Sequence, residues 1–182
     1  MIPFRFYNKV IDDITLDDLE KDVKFSRQKI LSDGVLVDEP RLTCWMSDTD
    51  VTLEYSNKIM EPIKMSSLVK KIQTKIYNKF GTFYDSVLVN YYKDNTVGMR
   101  YHSDPLDDGK WAPDFIIVSI GCPRKLIFRE ILNFDNKFPF EMRNGDCVHM
   151  FDNCQDLYQH CLKKEKVNKG SRISLVFKRL VK

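Results

Sequence analysis

Apolar positions along the chain follow two periods, one helical and one alternating, and the switch between them divides the sequence. Early on, Leu16, Leu19 and Val23 recur at helical spacing behind Thr15. Asp17 and Asp18 stand where the positive end of a helix favours acids. A second stripe, Leu68, Val69, Ile72, Ile76 and Phe80, predicts a helix over about residues 66–80, closed by Gly81. Between the two helices, ILSDGVLVDEPRLTCW reads as a hairpin folded at Asp33-Gly34. After residue 82 the runs shorten and turn β-rich: SVLVNYY, DFIIVSIG, KLIFREI, CVHMF and RISLVFKRL, separated by polar or Gly/Pro turns. Helices first and strands after predict the α+β class. Serial antiparallel strands avoid a long flat sheet with open edges by curling, so a jelly roll is the expected architecture.

Length and composition narrow the class. The chain has 182 residues, 43% hydrophobic and 30% charged, which suits one soluble domain with a full core. No window approaches the ~18 continuous apolar residues of a membrane span. The first residues turn acidic too soon for a secretory signal. The 5 cysteines are an odd count without a CxxC pair, which predicts reduced thiols and an intracellular protein. Net charge is only +3, but it is unevenly spread. Acids crowd residues 12–22, whereas Lys163, Lys164, Lys166, Lys169, Arg172, Lys178 and Arg179 crowd the other end. Such a basic end suits a polyanion, and equally a solvated surface. A monomer is expected.

The chemistry enters with RYHSD. His102 and Asp104 are two apart, so on a strand both side chains aim at one point. His160 in LYQHC can complete a set of two imidazoles and a carboxylate, the donors of a non-haem Fe(II) site. The third histidine, His149, sits in a strand-like run and reads as packed or satisfied locally. In RISLVFK, period two puts Ile173, Leu175 and Phe177 on one face and Arg172, Ser174, Val176 and Lys178 on the other. Two cations inside a barrel need an anion, and a dicarboxylate gripped by Arg172 provides one. An outer strand with its cations in water is the plainer reading. Asn90 and Tyr92 share a face of their own strand and offer neutral donors to the same ligand.

In order, these segments are NYY (90–92), HSD (102–104), SIG (119–121), GD (145–146), QH (159–160) and RISLVFK (172–178). Over roughly residues 30–180 the ordered set resembles the AlkB family of Fe(II)/2-oxoglutarate-dependent nucleic-acid dealkylases, in the branch of the eukaryotic DNA- and RNA-repair homologues. The resemblance implies a double-stranded β-helix (jelly roll) over about 82–182, preceded by a helical and substrate-loop extension over about 1–80. It implies His102, Asp104 and His160 as iron ligands. It implies Asn90, Tyr92, Arg172, Ser174 and Lys178 around 2-oxoglutarate. Ser174 stands where many members have Asn, and Lys178 where a second arginine is usual, which forfeits a bidentate fork. EPRLTCW (39–45) looks like the family's substrate loop, which brings in Arg41 and Trp45. LEYS (53–56) keeps one aromatic, Tyr55, to stack on a base. Asp107 is the candidate for the acid that members carry just after the HxD.

The expected activity is oxidative removal of N-alkyl groups from nucleic-acid bases with Fe(II), 2-oxoglutarate and O₂. The hairpin tip carries no aromatic wedge, which favours single strands. Other readings keep the cofactors and change the substrate to RNA, a protein side chain or a lipid. Another makes the chain a catalytically weak nucleic-acid-binding jelly roll.

Overall fold

A computed structural model describes residues 1–181. In chain order its elements are β1 (Phe4–Tyr7), α1 (Leu16–Asp22), β2 (Lys29–Ser32), β3 (Val35–Asp38), β4 (Leu42–Ser47), β5 (Leu53–Tyr55) and β6 (Lys58–Met60). Then come α2 (Ser67–Phe80), β7 (Ser86–Tyr92), β8 (Met99–His102), β9 (Phe115–Gly121), β10 (Arg124–Glu130) and β11 (Lys137–Met142). The last are β12 (Cys147–Met150), α3 (Cys154–Leu157), β13 (Tyr158–Leu162) and β14 (Arg172–Lys178).

Two antiparallel sheets carry the fold. One has six strands in the order β1-β12-β9-β14-β7-β4, the other four in the order β11-β10-β13-β8. Two hairpins, β2-β3 and β5-β6, stand apart. Alternation along the six-stranded sheet separates two cores. On its outer face, Val87, Val89, Ile116, Val118, Ile173, Leu175 and Phe177 pack with Leu19 of α1 and Val69, Ile72 and Ile76 of α2. On its inner face, Leu88, Phe115, Ile117, Val148 and Val176 meet Leu126, Phe128, Met142 and Tyr158 of the smaller sheet. The result is the expected jelly roll with two helices over one sheet.

The helices form for the reasons visible in the sequence. Thr15 caps α1 in a reciprocal box with Asp18, and Gly81 closes α2 in the left-handed region at φ 72°. Asp33 and Gly34, at φ 51° and 79°, turn the β2-β3 hairpin. Here "helices first, strands after" departs from the structure. β1 is too short to show a period, yet it zips onto β12 and extends the large sheet. RLTCW does not belong to the hairpin but enters the large sheet as β4, beside β7. All five cysteines are free thiols. Among the described residues no helix is long and apolar enough to cross a membrane.

The Gly145-Asp146 turn locks the N-terminal segment to the large sheet. The Asp146 carboxylate accepts from the backbone N–H of Lys9 at 3.0 Å and of Arg143 at 2.8 Å. Gly145 lies at φ 83°, and a Cβ there would sit 1.8 Å from the Ile11 carbonyl oxygen. Backbone cannot yield as a side chain tip can. Gly145→Ala is therefore expected to destabilise the fold by about 3 kcal/mol or more, read from chemical denaturation.

Candidate active site

Strand pairing brings the two histidines together. β8 lies beside β13 with His102 directly opposite His160, and their ring centroids are 4.3 Å apart. His102 Nδ1 lies 2.9 Å from the Arg100 carbonyl. A carbonyl only accepts, so Nδ1 donates to it and Nε2 is the nitrogen left for a ligand role. Asp104 follows β8, its backbone N–H donating to Gln155 Oε1 at 2.8 Å. One ligand atom from each of His102, Asp104 and His160 falls within 4.8 Å of the others.

The electrostatics suit a cation here. Asp104 Oδ2 is buried and has no hydrogen-bond partner. It lies 3.7 Å from His160 Nε2, while Oδ1 lies 3.8 Å from Lys178 Nζ. Burial pushes the Asp104 pKa up, but Lys178 and the two imidazoles outweigh it, and the carboxyl sits below its ordinary value. Burial and neighbouring His102 push His160 down to about 3, so at neutral pH it is a neutral imidazole. An ionised carboxylate with an orphaned oxygen beside two imidazoles, His160 neutral, is a donor set that a divalent metal completes.

A second buried group lies on the large sheet's inner face. Register aligns Thr43, Asn90, Ser174 and Ser119 across β4, β7, β14 and β9, with Tyr92 opposite Arg172 one pair further on. Arg172 is 1% exposed and donates from Nε to Ser119 Oγ at 2.8 Å. Burial pulls its pKa down to about 10, still charged at neutral pH. Among the described residues no carboxylate pairs with Arg172. A second guanidinium, Arg124, lies 6.0 Å from the Tyr92 ring that Arg172 approaches to 5.6 Å. Arg124 donates to three backbone carbonyls: Asp94 at 3.2 Å, Val97 at 2.8 Å and Lys163 at 2.7 Å. It thereby ties the loop between β7 and β8 to the end of β13.

In front of the histidines opens a cavity of ≈ 710 Å³. His102, Asp104 and Lys178 reach it from the sheets, and Glu39, Arg41 and Tyr55 from the N-terminal loop. Ile30, Leu31 and Val37 of the β2-β3 hairpin form one side; Arg100, Lys163 and Lys164 form the other. Glu39 is wholly buried, bonded to Arg41 Nη2 at 2.8 Å and to Lys58 Nζ at 2.6 Å. Arg41 Nε in turn donates to Asn90 Oδ1 at 2.7 Å, which links the cavity wall to the inner face.

The residues singled out from the sequence thus fall into three places. His102, Asp104, His160 and Lys178 converge. Asn90, Tyr92, Arg172 and Ser174 share the inner face next to them. Arg41 and Tyr55 line the cavity. Two others stand elsewhere. Trp45 is buried in the inner core, its indole N–H donating to the Val51 carbonyl at 2.8 Å, and it does not line the cavity. Asp107 accepts from Trp111 Nε1 at 2.7 Å and borders a separate, shallow depression with Leu106 and Gln155. Glu39, Lys58 and Arg124 went unnoticed in the sequence. Arg124 had a signal: period two puts it on the face of Leu126 and Phe128, where a cation is out of place.

A family model described as the 2OG-Fe(II) oxygenase superfamily matches residues 13–178. An uncharacterised protein of Acanthamoeba polyphaga mimivirus is 31% identical over 98% of this chain and 94% of its own length. The mouse alpha-ketoglutarate-dependent dioxygenase alkB homolog 3 is 24% identical over 91% of this chain, and the bovine DNA oxidative demethylase ALKBH2 21% over 96%. The matched region spans 60% and 66% of those two proteins. The solved structure of OsALKBH1 superposes with a TM-score of 0.67 over 98% of this chain and 97% of that one, at 12% identity. A 2OG-Fe(II) oxygenase family oxidoreductase from Burkholderia pseudomallei gives 0.61, over 97% and 84%, also at 12% identity.

Two outcomes follow from the geometry. The unfolded chain protonates His160 near pH 6.5, whereas the folded site resists protonation down to about 3. Stability of the metal-free protein is therefore full above pH 6.5 and falls as pH drops from 6.5 towards 3. Thermal melts across that window should show the loss, and His160→Gln should flatten it. Arg124→Met orphans three carbonyls and is expected to cost about 3 kcal/mol by denaturant titration, with partial rescue in Arg124→Lys.

Proposed function

The chain belongs to the 2OG-Fe(II) oxygenase superfamily, within its AlkB-like group, and from that premise we propose that it oxidatively removes N-alkyl groups from nucleic-acid bases. The enzyme is a dioxygenase using Fe(II) and 2-oxoglutarate. The observation that carries the site assignment is the orphaned oxygen of Asp104 beside the imidazoles of His102 and His160 at the cavity floor. On this reading His102, Asp104 and His160 hold the iron. Arg172 grips the far carboxylate of 2-oxoglutarate, Asn90, Tyr92 and Ser174 orient it, and Lys178 balances charge at the metal end. The chain works as one domain, with β1 and β4 completing its main sheet.

When bound, iron, cosubstrate and O₂ supply the oxidation: 2-oxoglutarate becomes succinate and CO₂, and one oxygen atom enters a C–H bond of the alkyl group. The resulting N-hydroxyalkyl base then breaks its C–N bond: the hydroxyl gives up its proton, the aldehyde leaves, and the bonding pair stays on the ring nitrogen, which takes up a proton only where the alkylated base was neutral. The protein's share is placement. His102 Nδ1, anchored on the Arg100 carbonyl, fixes which nitrogen faces the metal. The apolar wall of Ile30, Leu31 and Val37 excludes water, and Tyr55 offers a ring face to a base. Arg100, Lys163 and Lys164 on the opposite rim suit phosphates. The exposed hairpin residues Val35 and Leu36 are aliphatic, which supports a single-stranded substrate that needs no wedge.

The test is succinate formation with Fe(II), 2-oxoglutarate and O₂, on short DNA and RNA single strands carrying one N-methylated base. Stimulation by the methylated strand with loss of the methyl group by mass spectrometry is expected. His102→Ala should lose turnover by at least ~10³-fold and lose iron by direct metal analysis. Turnover retained in that variant would sink the ligand assignment. Cosubstrate consumption that no methylated strand stimulates would sink the nucleic-acid reading while keeping the iron chemistry.

A further inference from the structure

Charge and hydrogen-bonding capacity in the cavity narrow the base, given the dealkylation reading. Its lining contains two carboxylates, Glu39 and Asp104, against five cationic side chains, Arg41, Arg100, Lys163, Lys164 and Lys178. Asp104 belongs to the metal donor set. Glu39 is saturated: Arg41 and Lys58 both pair with it, and the Tyr55 hydroxyl donates to it at 3.3 Å. Asp107 serves the Trp111 indole outside this cavity. A divalent cation and a dicarboxylate cancel each other in charge, so the bound cofactors do not reverse the balance. No uncompensated negative charge therefore faces a substrate. What faces it are donors. Arg41 uses Nε on Asn90 and Nη2 on Glu39, and its guanidinium also hydrogen-bonds Tyr55, so donors of both residues stand at the cavity wall. Lys178 carries three N–H groups against a single carboxylate oxygen at 3.8 Å.

Alkylated bases divide on this property. N1-methyladenine and N3-methylcytosine are cations at neutral pH and present an amino donor beside the alkylated nitrogen, N3-methylcytosine with a carbonyl on the other side, so charge is what separates the two classes. N1-methylguanine and N3-methylthymine carry the methyl at the same ring positions. They are neutral, and each has a carbonyl acceptor next to the alkylated nitrogen. A buried cation without a counter-charge is strongly disfavoured, and donors left facing donors lose their hydrogen bonds. We infer that the cavity selects neutral, carbonyl-flanked N-alkyl bases over cationic ones, with N3-methylthymine or N3-methyluracil the best fit because carbonyls flank the nitrogen on both sides. Arg41 and Tyr55, held in place by Glu39, are then specificity-determining residues.

The experiment compares kcat/KM on four single strands identical except for one base: N1-methyladenine, N1-methylguanine, N3-methylcytosine and N3-methylthymine. Within each matched pair the neutral member is expected to be favoured roughly tenfold or more. Metal-free protein should show the same order in competitive binding by fluorescence anisotropy. Equal or reversed preference overturns the inference and leaves dealkylation standing. Turnover on none of the four overturns dealkylation and the inference with it. A variant supplies the reverse test. Val37 is exposed on the hairpin and lines the cavity, so Val37→Glu adds an unpaired carboxylate without disturbing the core. It is expected to shift the ratio roughly tenfold towards the cationic bases. An unchanged ratio in that folded variant counts against electrostatic selection and overturns the inference.

Discussion

Burial of positive charge between the two sheets is the constraint on which the rest of this structure turns. Arg124, Arg172 and Lys178 are each at most 2% exposed, between sheets whose inner faces are otherwise apolar or carry only neutral polar groups such as Asn90, Ser119 and Ser174. An uncompensated buried ion costs several kcal/mol, so each must find a partner. Arg124 finds three carbonyls within its own chain. Lys178 finds Asp104 and the face of Phe115, 4.5 Å away. Among the described residues Arg172 finds only the Ser119 hydroxyl and the Tyr92 ring. The deficit is therefore concentrated at Arg172, and a dicarboxylate bound there would remove it. The outer face supplies what tolerates this expense: an apolar layer sealed by α1 and α2.

The N-terminal segments repeat that logic on the cavity wall. Glu39 is a wholly buried carboxylate, which alone would be as unfavourable as the buried cations. Two cations and a phenol hold it, and the phenol stays neutral because burial raises its pKa. The network runs on through Arg41 to Asn90, so the wall and the large sheet's inner face form one hydrogen-bonded unit. Removing Glu39 leaves two buried cations without their partner. Such a unit fixes the shape and polarity of the cavity more firmly than an apolar lining would, because its members have few alternative partners.

Much of this was legible in the residues. The capped helix at Thr15, the stripe before Gly81 and the alternation in RISLVFK all follow from local periodicity, and the structure repeats them. His102 and His160 were readable as candidates because histidine is scarce and HxD has a geometric meaning on a strand. Their meeting depends on the β8-β13 pairing, which no local signal encodes. β1 escaped notice because four residues cannot display a period. β4 was joined to the hairpin because Glu39-Pro40 looks like a turn continuing it, whereas it marks the crossing into another sheet. Trp45 and Asp107 show the limit of motif position. Trp45 points into the core because alternation places it beside Leu88 and Val176, and Asp107 turns to an indole N–H that sequence spacing could not reveal. Glu39 was invisible for a related reason: a lone acid among loop residues gives no sign that two cations will close around it.

Lys178 carries the last step, because a lysine there changes how the site divides its work. A guanidinium engages two acceptors in one plane; an ammonium is a compact point charge with no preferred plane. In this site the smaller group sits over the Phe115 ring and beside Asp104 Oδ1, positions that reward charge and ignore planarity. Burial alone would push Asp104 towards protonation, and Lys178 is the largest influence holding it ionised. An ionised Asp104 is what a metal needs from that position. On the proposed assignment, lysine thus preserves the electrostatic duty at the metal end and gives up the geometric one. On the proposed assignment, orientation of the cosubstrate rests on Arg172, Asn90 and Tyr92, all fixed by the register of β14 against β7. The two duties are separated by position along β14: the fork at one end of the strand, the point charge at the other, six residues away along the same inward face.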